Sequence, residues 1–113
     1  MIKKHYSEVE AEPVYKANST KTTIRWLISK KDVPTSFSTR RFEIEPGGQI
    51  GLHNHPEDHH FYVLQGEGKA IDANGNEISL KPGDVLYVPP NELHGFKNDG
   101  SEVFAFICVI PNL

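Results

Sequence analysis

Residues 47–66 read GGQIGLHNHPEDHHFYVLQG, and the reading of this stretch decides the fold. A strong turn signal, Pro46-Gly47-Gly48, leads into a short extended segment, Ile50 to His55, which Pro56 ends. Phe61 to Leu64 is apolar throughout, as expected for a strand buried on both faces. His53 and His55 stand two positions apart, and on a strand such positions share one face, so two imidazoles can address one metal ion. His59 follows the Pro56-Glu57-Asp58 turn, which can bring the next strand alongside and add a third ligand. His60 points to the opposite face if that segment is extended. His94 arrives from far along the chain, after the kinked Pro89-Pro90-Asn91, and supplies a fourth; such convergence suits a barrel. His5 reads as an ordinary surface histidine.

Outward from this stretch the pattern is strand after strand. Thr22 to Ile28 and Phe37 to Ile44 are β-branched and aromatic, with Val33-Pro34-Thr35-Ser36 as the break between them. Asn74-Gly75 is the best hairpin turn, Lys81-Pro82-Gly83-Asp84 is another turn, and Val85 to Val88 and Val103 to Ile110 complete the set of strands. No segment holds a helical period over three turns, and the one weak candidate, Tyr6 to Val14, is cut short by Pro13. Many short strands at close spacing predict an all-β closed barrel or sandwich. Phe42, Ile44, Phe61, Val63, Phe96, Phe104 and Phe106 are the candidates for its lining, and Cys108 shares the parity of Phe104 and Phe106.

A chain of 113 residues suits one domain, residues 1–113, with a real core. A net charge of −3 offers no electrostatic case for nucleic acid or an anionic membrane. Arg40-Arg41 is the nearest approach to a basic patch; Glu43 and Glu45 follow it, and it reads as a solvated strand surface. The single cysteine cannot form an internal disulfide. Met1 to Glu12 lacks the apolar core of a signal peptide, and Val103 to Ile110 is too short to span a bilayer, so a cytoplasmic location is expected.

Two motifs in register resemble the cupin superfamily. Gly47 stands five residues before His53-Asn54-His55; His59 occupies the position of the family's usual Glu, and Gly66 closes the motif. Gly83 stands five residues before Pro89-Pro90-Asn91, after which His94 and Asn98 follow on spacing. The resemblance runs from Gly47 to Asn98, about half the chain. It implies a single-domain double-stranded β-helix, the jelly-roll barrel. Asn91 replaces a glycine, and asparagine is the next-best residue for a left-handed turn. The run Tyr62-Val63-Leu64-Gln65-Gly66 matches the family's usual one, and that register makes His59 rather than His60 the ligand. With His59 in place of Glu, the chain is similar to small four-histidine cupins, some of which bind manganese.

One divalent transition metal per chain is therefore expected on His53, His55, His59 and His94. Imidazole suits Fe, Cu, Ni and Zn, while the resemblance adds Mn. Four protein ligands around an octahedral ion leave two positions for water, substrate or dioxygen. A small organic substrate follows, with three functions open: a metal-dependent oxidoreductase such as a dioxygenase, a Lewis-acid isomerase or lyase, or a non-enzymatic metal or small-molecule module. The proton carriers that the second would need are Tyr62, Tyr87 or Glu92. Cupins commonly pair through their N-terminal strands, so a homodimer is expected.

Overall fold

Period-two alternation organises the molecule. In His59–Gln65 the odd positions His59, Phe61 and Val63 are buried and His60, Tyr62 and Leu64 face out, so this strand is covered on one face only, whereas its apolar run suggests both. The computed structural model describes residues 1–113. Its strands are β1 (Glu12–Pro13), β2 (Thr20–Ile28), β3 (Phe37–His53), β4 (His59–Gln65), β5 (Gly68–Asp72), β6 (Glu77–Leu80), β7 (Val85–Val88), β8 (His94–Lys97) and β9 (Phe104–Pro111). They form one curled sheet in the order β6-β5-β8-β3-β9-β4-β7, with β2 on β3 and β1 on β2. Every pairing is antiparallel. There is no α-helix, only two short 3₁₀ turns, Tyr6–Glu8 and Lys16–Asn18.

β3 is where the sheet becomes two facing layers. The sequence reading breaks it into two strands at Pro46-Gly47-Gly48; in the structure it is one 17-residue strand that bends there. Residues 37–44 pair with β9, and residues 49–53 pair with β8. The bend is held from across the molecule: Gly47 N–H donates to Asn98 O at 2.9 Å and Asn98 N–H to Gly48 O at 3.0 Å, while Gly47 takes a φ of 83°. The chain can therefore turn a corner without losing its backbone bonds. The glycine that opens the first motif and the asparagine that closes the second are thus one joint.

One further expectation is corrected, and two elements gain detail. Tyr6 to Val14 holds a single 3₁₀ turn and a two-residue strand rather than a helix. The Asn74-Gly75 hairpin turn is present between β5 and β6, as a four-residue loop, 73–76, in which Gly75 alone has positive φ. The Asp72 carboxylate accepts from the backbone N–H of Asn74 and of Asn76, both at 2.9 Å, so a side chain shapes this turn. His94–Lys97, unassigned from sequence, is a strand that buries three of its four residues. Asn91 does adopt the left-handed conformation, with φ of 64°.

The core lies between the layers. Phe42, Ile44, Phe61, Val63, Phe96, Phe104, Phe106 and Cys108 are all buried in it. Phe61 and Phe106 on one layer meet Phe96 on the other at ring centroid distances of 4.9 and 5.0 Å, within the range of favourable aromatic pairs. No helix is long and apolar enough to cross a membrane.

Candidate metal centre

The four expected histidines come from three parts of the chain and meet at one end of the barrel. β3 ends on His53, whose Cα partner across the sheet is His94, the first residue of β8. Their ring centroids are 4.4 Å apart. His55 lies just past β3, and ring nitrogens of His53, His55 and His94 fall within 4.8 Å of one another. His59, buried at the start of β4, packs against this trio. Its Nε2 is 2.5 Å from His55 Nε2, and its ring centroid is 4.1 Å from that of His55 and 5.0 Å from that of His94. His60 is exposed and packs edge-on against Tyr87 on the outer face, at 5.5 Å.

Hydrogen bonds orient the rings. His53 Nδ1 lies 2.7 Å from Gly51 O, and His94 Nδ1 lies 2.8 Å from Glu92 O. A carbonyl can only accept, so both Nδ1 atoms carry the proton and both Nε2 atoms keep a free lone pair. His94 Nε2 is buried and has no hydrogen-bond partner. His59 Nδ1 is 3.1 Å from Cys108 Sγ, and His55 Nδ1 is 3.7 Å from a Glu57 carboxylate oxygen. Burial lowers the pKa of all four rings; for His59, burial and then the neighbouring His55 and Arg40 push it to about 2. Neutral imidazoles with fixed tautomers and an unpaired buried nitrogen are what a divalent transition metal needs. The residues present fit one.

This burial also makes stability pH-dependent. The unfolded chain takes up protons on its histidines near pH 6.5, whereas the folded rings resist protonation until lower pH. Below about 6.5 the unfolded state therefore binds more protons, and acid favours unfolding. Metal-free protein is expected to melt at progressively lower temperature as pH falls from 7 to 5. A flat melting profile over that window would contradict the burial of neutral rings.

Two basic residues that the sequence reading did not place at the site are there. Arg40-Arg41 is not a uniformly solvated surface. Arg41 pairs with Glu43 at 2.9 Å, but Arg40 is only 6% exposed and donates from Nη2 to Cys108 Sγ at 2.8 Å. The parity was readable: Arg40 is in phase with Phe42 and Ile44, the inward face of β3. Lys16 stands exposed at the rim, on the Lys16–Asn18 turn. That turn lies so close on β3 that a Cβ at Gly51 would collide with the Ala17 carbonyl. No local sequence signal announces this contact. In the other direction, Tyr62 and Tyr87, 49% and 53% exposed, lie on the outer face, and Glu92 is exposed; none lines the site.

Beneath the histidines a cavity of about 20 Å³ is walled by Phe42, Ile50, Phe61, Phe96 and Phe106. A cleft of about 430 Å³ opens beside it, lined by Val14, Tyr15, Trp26 and Ile110 and reaching Lys16, Arg40, His55 and Glu57. Its size and mixed lining match a small-molecule site.

A jelly-roll barrel with imidazoles converging at one end defines the class. The family model for the cupin domain matches residues 40–110, and the chain belongs to that family. An oxalate-binding protein of Thermotoga maritima is 37% identical over 71 residues, covering 62% of this chain and 58% of that protein. Bacillus subtilis quercetin 2,3-dioxygenase is 30% identical over 92 residues, covering 79% of this chain and 26% of that enzyme. Among solved structures, the polyketide cyclase RemF of Streptomyces resistomycificus superposes with a TM-score of 0.92 at 31% identity, over 98% of this chain and 79% of that one. The matches span about half the length of the curated relatives, or less.

Proposed function

We propose that this cupin holds one divalent transition metal on His53, His55, His59 and His94 and uses it to oxidise a small organic molecule. The observation that carries the metal is the buried, unpartnered Nε2 of His94 among three other neutral imidazoles. His59 is the fourth ligand in this reading because its Nδ1 is engaged by Cys108, which leaves Nε2 toward the trio. Imidazole ligation favours Fe, Cu, Ni or Zn, and manganese enters by resemblance to four-histidine cupins; oxidation narrows the set to Fe, Mn or Cu.

Bound there, the metal supplies a redox-active centre with coordination positions left for small ligands. The chain's own part is positional. The phenylalanine wall keeps bulk water from the inner side of the histidines, and the cleft admits a substrate from the outer side. Oxidation is favoured because the proposed ligand set contains no carboxylate, Tyr62 and Tyr87 lie on the outer face, and the nearest acid, Glu57, stands beside the Nδ1 of His55 at 3.7 Å. The likeness to a quercetin dioxygenase runs the same way.

A second reading, Lewis-acid isomerisation, lyase chemistry or cyclisation, is favoured by Glu57 and Lys16 on the cleft as proton carriers and by the likeness to a polyketide cyclase. The test is to load the protein with Fe, Mn or Cu and supply aromatic and enolic substrates with and without dioxygen. Oxygen-dependent product that disappears in His53→Ala supports oxidation. Turnover that persists under strict anaerobiosis moves the assignment to the second reading, and none under either condition favours a binding module. The proposal includes a homodimer formed through the N-terminal strands; a monomer mass in light scattering would remove that part.

A further inference from the structure

Arg40 is charged, nine-tenths buried and without an acidic partner. Its guanidinium donates from Nη2 to a thiol, leaves Nε without any partner, and lies over Phe42 and Trp26 at 5.0 and 5.4 Å from their ring centroids. A buried cation is normally paired, because desolvating an uncompensated charge is costly. Arg40 lines both the cleft and the cavity under the histidines, and so does Lys16. Lys16 has no ion pair either, although Glu57 stands on the same cleft. Partial burial of its ammonium and the nearby Arg40 charge lower its pKa, the signature of two cations forced toward one space. The four histidines are neutral and a metal would add positive charge; Glu57 is the one carboxylate lining this cleft, and it forms an ion pair with neither Arg40 nor Lys16.

We propose that Arg40 and Lys16 form an anion-receiving pair that selects an organic carboxylate, with the apolar body of the ligand lying against Trp26, Tyr15 and Val14. The carboxylate supplies the counter-charge that the fold withholds, and a guanidinium fork beside an ammonium suits its two oxygens. The proposal names the substrate class of the site assigned above, but the two cations belong to the chain, so the selectivity exists with or without metal.

Trp26 is the sole tryptophan and lines the cleft, so its fluorescence reports occupancy. The experiment titrates metal-free and zinc-loaded protein with benzoate and with its uncharged analogue benzamide. Benzoate is expected to bind about tenfold tighter or more in both forms. Lys16→Met, at an exposed rim position that folding tolerates, should remove most of that preference and leave benzamide unchanged. Arg40→Lys, which keeps the charge but loses the fork, should weaken benzoate in the same direction. Equal affinities for the two probes, no saturable benzoate signal, or a preference that survives both variants would overturn the proposal. Failure of the metal assignment looks different: zinc would not be taken up, and the benzoate preference of the metal-free protein would remain.

Discussion

Replacing His94 by alanine is expected to lower metal affinity by about a hundredfold or more. Apparent binding free energies of structural sites with four protein ligands run to about 10–16 kcal/mol, so each ligand carries a few kcal/mol, and about 1.4 kcal/mol is a factor of ten. His94 is the sharpest case because its Nε2 is buried with no other partner while its Nδ1 is held by Glu92 O. His53→Ala should behave alike. The informative contrast is on β4. His59→Ala should cost a similar factor, whereas His60→Ala should stay within about twofold, since the His60 ring lies outside against Tyr87. Competition with a chromophoric chelator, combined with elemental analysis, measures all four. Equal losses for His59 and His60 would show that the inward register of β4 is wrong; an undiminished His94→Ala would remove the metal centre.

Asn98→Leu is expected to be the most damaging substitution away from the histidines, at about 2–4 kcal/mol. The side chain is 1% exposed and fully engaged: Nδ2 donates to Ile44 O at 2.8 Å and to Glu102 O at 2.7 Å, and Oδ1 accepts from Gly100 N–H at 2.9 Å. Leucine is of similar volume and leaves the buried Ile44 carbonyl without this partner, at about 1–3 kcal/mol, while the Glu102 carbonyl and the Gly100 amide, in part-buried bonds, lose about 0.5–1.5 kcal/mol each. The same residue's backbone closes the bend of β3 at Gly47 and Gly48, so the damage falls on the corner that sets His53 opposite His94. Against a total stability of about 5–15 kcal/mol this leaves a marginal fold. Chemical denaturation of metal-free protein measures it, and a loss below about 1 kcal/mol would mean that the joint is not structural.

What the sequence determined alone was whatever short-range periodicity and turn chemistry encode. Alternation placed His59 inward and His60 outward, and it gave Phe104, Phe106 and Cys108 one parity on β9, because the strand period of two is a property of the backbone itself; the pairing of β4 with β9 then sets Phe61 and Val63 on the same face as Cys108 and Phe106. The left-handed turn at Asn91 was legible through the family resemblance, in which this residue stands in place of a glycine, since asparagine tolerates positive φ. Alternation also carried Arg40 inward with Phe42, but its charge argued for solvent, and only the neighbouring Cys108, Trp26 and Phe42 show how a guanidinium is housed there. The rest was decided by contacts between residues far apart in the chain. Pro46-Gly47-Gly48 reads as an end of strand until Asn98 supplies the bonds that keep β3 whole. Lys16 reaches the histidine cluster because Gly51 lets the Lys16–Asn18 turn lie against β3, a steric fit between segments that no window of sequence contains. Tyr62 shares the outward parity of His60 and is excluded by alternation, whereas Tyr87 is excluded only once β7 pairs with β4 and sets it opposite His60. Side-chain parity is local and legible; which faces enclose the same space is a tertiary fact, fixed by sheet pairing and bending.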